Sequence, residues 1–491
     1  MAKAIVIGSG VGGLATAIRL RAKGFQVVVL EKNEYPGGKL SEIQLDGFHF
    51  DKGPSLFTQP TNFEKLFAAA NRNFYDYVSV KKLEEANRYF FSDGTVVHAF
   101  IDRQKFEEEV QRKLGEKPQA ITTYLQEAQQ LYEGIGKIFL DYPLHRIKTW
   151  LQKKIVKALA LVKLSHLFQS VHQYNEKRFR NHKTIQIFNR FATYNGSNPY
   201  QAPAMLTMIP HLEQNEGAFY PKGGMISLTQ SMYQLATELG VVFEFNTEVR
   251  RLHTYNGRVL YAETQNQKVE GDIFVSNMDV FYTYNQLLNR KDKSQQIAKL
   301  ERSTSAIIFY WGVKVKSQAL SLHNILFSDD YKKEFDQLFV QKQLPDDPTI
   351  YINITSKLDE SHAPADAENW FVMVNAPAKQ SIVTNEQLMK LKDTVLQKIK
   401  RFLSIDIQAA IITEFIWTPQ GIDTDTNSYL GSLYGSASND KIAAFMRHAN
   451  ESSEYKNLFF CGGSVHPGGG IPLCLKSAVL VEQLVTEKFS A

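Results

Sequence analysis

The sequence predicts an α/β protein: a parallel-sheet domain assembled from separated segments, a second domain with a mixed sheet, and a helical insert. Three observations predict it. The first thirty residues read strand, helix, strand; the chain end mirrors that order; and two long inserts of different texture lie between. The chain has 491 residues, too many for one core. Its 56 basic and 51 acidic side chains are too balanced for a protein that coats nucleic acid.

Ala4 to Ile7 is an all-apolar run ending in glycines, as a buried parallel strand requires. Leu14 to Lys23 has helical spacing and stops at Gly24, and Phe25 to Leu30 is a second strand rich in valine. At the other end, Asn457 to Cys461 is a strand, Gly462 to Gly470 a glycine-rich turn, and Ile471 to Lys488 a helix. A third piece lies at Gly224 to Asn277, with a helix at Ser227 to Leu239 and strands at Val241 to Phe245 and Asp272 to Ser276. The predicted division is therefore a discontinuous domain of residues 1–75, 222–290 and 455–491, and a substrate domain of 76–100 and 291–454. A helical region covers 101–221. Strand-like runs at Ser305 to Gly312, Thr349 to Ile354 and Trp370 to Val374 carry the second sheet.

Gly8-Ser9-Gly10-Val11-Gly12-Gly13 follows a strand and opens a helix. In this pattern the first glycine permits the turn and the second lets backbone approach a pyrophosphate. The third allows close helix–strand packing, and the helix N-terminus favours phosphate charge. Glu31 ends the second strand, 18 residues past Gly13, where a carboxylate accepts the hydroxyls of an unphosphorylated ribose. Dinucleotide binding follows, by FAD or NAD. Two more glycine turns decide for FAD: Tyr35-Pro36-Gly37-Gly38-Lys39, then Gly47 to Ser55, wrapping a longer cofactor where a nicotinamide domain continues into a helix. Lys39 is expected near the phosphates, and Ser55 and Leu56 near the ribityl chain or flavin ring.

This N-terminal pattern resembles the flavin-binding amine oxidase and carotenoid desaturase superfamily. Five further strings resemble the bacterial-type phytoene desaturase family and span most of the chain: Phe219 to Met225 (FYPKGGM), Asn246 to Val249 (NTEV), Val275 to Asp279 (VSNMD), Asn324 to Tyr331 (NILFSDDY) and His466 to Pro472 (HPGGGIP). The resemblance implies a Rossmann-like FAD domain. Val249 would meet the adenine through its backbone, and Asn277 would lie near the cofactor. Gly462 and Gly463 would approach the pyrophosphate, with Gly470 and Ile471 near the flavin. Cys461 to Pro467, Gly431 to Gly435 and Tyr194 to Pro199 are similar to the hydroxycarotenoid 3,4-desaturase branch. That implies an FAD-dependent oxidoreductase that makes a C3–C4 double bond in an acyclic 1-hydroxycarotenoid end. Hydride leaves C4 for FAD, C3 loses a proton, and oxygen or a membrane quinone reoxidises the flavin. Phytoene desaturase, carotenoid isomerase and carotenoid oxidase stay open on the same scaffold, as does a non-enzymatic isoprenoid escort protein.

The charge is unevenly placed. Pro143 to Lys183 holds ten Lys or Arg against Glu176 alone, a local +9 that leaves −4 for the rest of the chain's +5. At helical spacing Leu144, Ile147, Leu151, Ile155, Ala158 and Val162 form one stripe, with Arg146, Lys153, Lys154 and Lys157 broadly opposite. An apolar face rimmed with lysine predicts an interfacial helix, so residues 143–183 are expected to lie on a membrane. No apolar run reaches the roughly 18 residues of a spanning helix. Two cysteines, Cys461 and Cys474, support neither a disulfide framework nor a metal site and fit a reducing compartment. The expected location is cytoplasmic, peripheral on the membrane. No catalytic base is legible; His211 and Glu213 are expected on a helix surface.

Overall fold

In the computed structural model of the protein, residues 1–152, 155, 164–379, 381–439 and 447–490 are described. A five-stranded sheet, parallel throughout, runs in the order Leu458–Phe460, Ile273–Ser276, Lys3–Ile7, Gln26–Leu30, Val242–Glu244. Its strands alternate strictly. Ala4, Val6, Val27, Val29, Ile273, Val275 and Phe459 face a layer of three helices, Val11–Ala22, Ile226–Glu238 and Ile471–Thr486. Ile5, Ile7, Phe274, Leu458 and Phe460 face the opposite way. There they meet Leu252, Val259, Ala262 and Val269 of an antiparallel ribbon, Val249–Tyr255, Arg258–Thr264 and Lys268–Glu270. Burial on both faces is why the first strand is apolar at every position from Ala4 to Ile7. The ribbon had no apolar run to announce it, because its outer face is exposed.

The second sheet has seven strands in the order Ile411–Trp417, Ser305–Val313, Glu368–Ala376, Ile350–Asn353, His323–Leu326, Glu85–Phe90, Val96–Phe100. All neighbours are antiparallel except His323–Leu326 with Glu85–Phe90. One face packs Ile307, Phe309, Val372 and Val374 on Val395 and Ile399 of the helix Asn385–Leu403. That helix starts at a capping box in which Thr384 and Gln387 satisfy each other's backbone. The register lays a row across the other face: Trp417 opposite Ile308, then Met373, Tyr351, Ile325 and Tyr89. The short strand Val80–Lys82 pairs instead with Phe219–Pro221, beside the parallel-sheet domain.

Residues 103–215 are largely helical. The expected single apolar stripe is corrected here. Leu144 and Ile155 are buried, whereas Ile147 and Leu151 are 80% and 75% exposed. Ile147–Trp150 is a helix of one turn, and the four described positions of the stripe divide between the interior and solvent. Lys153, Lys154, Lys157, Ala158, Val162 and Lys163 lie outside the described residues. Among the described cations, Arg146 pairs with Glu451 and Glu487, Arg178 with Glu127, and Lys183 with Asp93, acids from elsewhere in the chain. No described helix is long and apolar enough to cross a membrane.

Candidate functional site

One cavity of about 540 Å³ runs from the C-terminal edge of the parallel sheet to the free face of the mixed sheet. Its nucleotide end is made of backbone. Gly8, Gly10 and Gly12 line it on one side and Gly462 and Gly463 on the other, with Asn277 between the two loops. A side chain on Gly12 would stand 2.7 Å from Asn277 Oδ1 and 2.8 Å from the Gly462 amide nitrogen, so the two loops and Asn277 fit only with glycine there. Gly13 does not line the cavity. A Cβ on it would lie 2.1 Å from the Gly8 carbonyl, so it serves the packing of the first helix on the first strand.

Two helix N-termini open on this cavity, those of Val11–Ala22 and Ile471–Thr486. Neither has a side-chain cap and neither carries an acid in its first turn. Paired positive helix ends over a cradle of glycine backbone suit a bound dinucleotide with its anionic pyrophosphate and electron-rich ring. Glu31 lines this end too, buried just past the second strand. Its carboxylate accepts from Ser9 N and Ser9 Oγ at 2.7 Å each and from Asn33 N at 2.9 Å, leaving lone-pair room for a ribose hydroxyl. Val249 lines the same side, next to Thr247, whose amide donates to the Glu31 carbonyl at 2.8 Å.

Lys39, Ser55, Leu56, Gly470 and Ile471 line the far side of this end. Lys39 donates to the carbonyls of Ser432 and Leu433 at 3.1 and 3.0 Å, and burial depresses its ammonium to about 8. Its charged neighbours are Asp279, Arg302 and Asp423, with Cys474 of the last helix beside it. That placement is at the last-helix end of the cavity. Arg447, also lining, donates to the Tyr434 carbonyl at 2.7 Å and is lowered to about 10 by burial. Ser55 Oγ bonds the Tyr351 hydroxyl at 2.7 Å and thereby joins the cofactor loop to the mixed sheet.

The other end is apolar. Its floor is the registered row Ile308, Met373, Tyr351 and Ile325, with Phe371 beside it. Its roof is built by helical segments at Tyr132, Phe139, Leu140, Met205 and Leu206 and by the turn at Leu144. A long floor that changes side chain every strand, without charge, suits a flat hydrocarbon chain. Polar side chains such as Gln59, Asn87 and Asn375 also line it, and charge enters at Arg190. Arg190 donates to the Tyr89 hydroxyl at 2.9 Å and sits 3.3 Å from Glu213, which also accepts from Tyr194. Glu213 and His211 are therefore not on a helix surface, as the sequence led us to expect. The π-helical turn His211–Asn215 is wedged between Arg190 and the helix Pro118–Leu131, with Asn215 Nδ2 donating to Leu125 O at 3.0 Å, so both side chains are buried. Sequence reading missed Arg190, Asn87 and Tyr351 because each reaches the cavity through strand register or a tertiary turn. The proximity of Arg190 to the string starting at Tyr194 was the one available signal.

Residues 11–483 match the flavin containing amine oxidoreductase family. Over 485 residues the chain is 46% identical to a 1-hydroxycarotenoid 3,4-desaturase of Flavobacterium sp. (strain P99-3), covering 99% of both. It is 35% identical to a 4,4'-diapolycopene oxygenase of Methylomonas sp over 490 residues, 98% of each. The fold is that of an oxidoreductase from Methanosarcina mazei, with a TM-score of 0.62 at 14% identity, covering 99% of this chain and 100% of that one. With the glycine cradle and paired helix ends, these matches place the chain among the flavin containing amine oxidoreductases, as an FAD-dependent member of their carotenoid desaturase family.

Proposed function

We propose that the protein introduces a C3–C4 double bond into the acyclic end of a 1-hydroxycarotenoid. The observation that carries this reading is the single cavity, which joins a backbone cradle for a dinucleotide to an uncharged floor and roof sized for a flat chain. FAD held there supplies the two-electron acceptor for C–H cleavage. Gly8, Gly10, Gly12, Gly462 and Gly463 cradle the pyrophosphate, with Gly13 keeping the first helix in place. Glu31 and Val249 hold the adenosine, and Asn277 locks the two loops. Lys39, Ser55, Leu56, Gly470 and Ile471 surround the ring end. The mixed sheet would hold the substrate chain flat and the helical roof would exclude water; the acceptor we propose for the electrons is oxygen or a membrane quinone. The 46% identity to a desaturase of this substrate class supports the reaction. The test is pigment analysis of liposomes loaded with phytoene, lycopene or a 1-hydroxycarotenoid. Consumption of the hydroxylated pigment with a longer chromophore is expected; consumption of phytoene alone overturns the reading.

The domain division we propose gives 1–75, 222–290 and 455–491 to the cofactor, and 76–100 with 291–454 to the substrate floor. Residues 101–221 form the roof. Residues 143–183 rest on a membrane as a peripheral contact on the cytoplasmic side. Exposed Ile147 and Leu151 stand close in sequence to cavity-lining Leu144, which supports entry of a lipid-dissolved substrate there. Ile147→Asp with Leu151→Asp is expected to abolish flotation with anionic liposomes; unchanged flotation overturns this placement.

A further inference from the structure

We propose that Arg190 and Asn87 form a subsite for a neutral oxygen, the hydroxyl of the substrate's end group; this rests on the carotenoid reading above. Both residues line the cavity and both are buried, at 7% and 2% exposure. Each keeps a buried N–H donor without an acceptor: Arg190 Nε and Asn87 Nδ2. Buried donors are almost always satisfied, so two orphans on residues that line one cavity point to a missing oxygen.

The rest of the guanidinium is held fast. One end donates to Tyr89 and Glu213, and its plane lies over the rings of Tyr89, Phe191 and Tyr194 at 5.4, 4.7 and 5.2 Å. Asn87 stands two residues from Tyr89 on the same strand, so both project from the same face and Asn87 neighbours the arginine's anchor. Charge then selects the ligand. Glu213, fully buried, already balances Arg190, so the subsite is neutral overall and a carboxylate would be unbalanced there. A hydroxyl oxygen accepts from Arg190, and it satisfies the Asn87 amide in either orientation because it both donates and accepts. A hydrocarbon end leaves both groups orphaned.

Its position suits the reaction. Tyr89 lies across Ile325 from Tyr351, which Ser55 ties to the cofactor loop. Tyr434, within electrostatic reach of Tyr351, packs its backbone on Gly469 at the start of the last helix. An oxygen held at Arg190 would thus lie two strands from the Tyr351–Ser55 link to the cofactor loop.

The test compares kcat/KM for a 1-hydroxycarotenoid and the same carotenoid without the hydroxyl, in liposomes, for flavin-loaded wild type, Asn87→Leu and Arg190→Lys. Asn87→Leu removes no hydrogen bond of the described chain and guards against a folding defect in Arg190→Lys. Wild type is expected to prefer the hydroxylated substrate by about tenfold or more, and each variant to lose about tenfold of that preference on the hydroxylated arm. Equal kcat/KM for both substrates in wild type, or a preference retained in both variants, overturns the subsite. No turnover of either pigment by flavin-loaded wild type overturns the carotenoid reading itself, and the subsite with it.

Discussion

The two ends of the cavity are built by opposite means. At the nucleotide end the contacts are backbone, and side chains are excluded: Gly12 has no room for a Cβ beside Asn277 and Gly462. At the substrate end the contacts are side chains, drawn from four strands in register and from a helical roof. A cradle of backbone recognises what every dinucleotide shares, its phosphates. A floor of side chains can be changed residue by residue, so specificity resides there while the redox partner stays fixed.

The sharpest way to break this comparison is to add one methyl group at the cradle. Gly12→Ala places a Cβ 2.7 Å from Asn277 Oδ1 and 2.8 Å from the Gly462 amide nitrogen and is expected to cost about 3 kcal/mol or more, with loss of bound flavin. Gly94→Ala meets nothing within 4 Å but keeps a φ of +83°, so it should cost only about 1 kcal/mol and retain flavin. Thermal unfolding and the flavin-to-protein absorbance ratio read both; equal losses would mean that conformation, not space, governs the cradle.

The converse experiment fills the other end. Ile308→Trp puts an indole on the floor of the cavity and is expected to lower kcat/KM for the carotenoid roughly a hundredfold, with flavin content unchanged. Loss of flavin in that variant would show that the two ends are not separable.

Lys39 offers a subtler separation. Burial puts its ammonium at about 8, so it is mostly charged at pH 7 and mostly neutral at pH 9. An anionic cofactor favours the charged form, so binding above pH 8 must take up a proton. Flavin affinity is therefore expected to fall about tenfold from pH 7 to pH 9 in fluorescence titrations, and Lys39→Gln should be weaker at pH 7 and flat across that range. A wild-type affinity independent of pH would remove Lys39 from the cofactor's field.

Legibility in the sequence followed the same division. The cradle was readable because it depends on local pattern: an apolar strand, Gly8 to Gly13, a helix, and Glu31 at the next strand's end lie within thirty-one residues. The strands of the mixed sheet at 305–313, 350–353 and 368–376 were readable as apolar runs, but their pairing was not. Register alone brings Ile308, Met373, Tyr351 and Ile325 into one row, and register depends on contacts between residues far apart in the chain. Glu213 shows the same limit at one residue. Its local sequence reads as a polar helix face, and only the arrival of Arg190 and the helix Pro118–Leu131 buries it. The +9 of residues 143–183 is legible as a count, but its partners are not, because Glu127, Glu451, Glu487 and Asp93 reach it from outside.

Anaerobic single turnover tests the central claim most directly. Flavin-loaded protein is mixed with one equivalent of a 1-hydroxycarotenoid in liposomes, and both chromophores are followed together. The expected result is loss of the oxidised-flavin band in step with a red shift of the polyene, one flavin for one new double bond. A polyene that changes with no loss of oxidised flavin, or a flavin that bleaches with no change in the polyene, would contradict it.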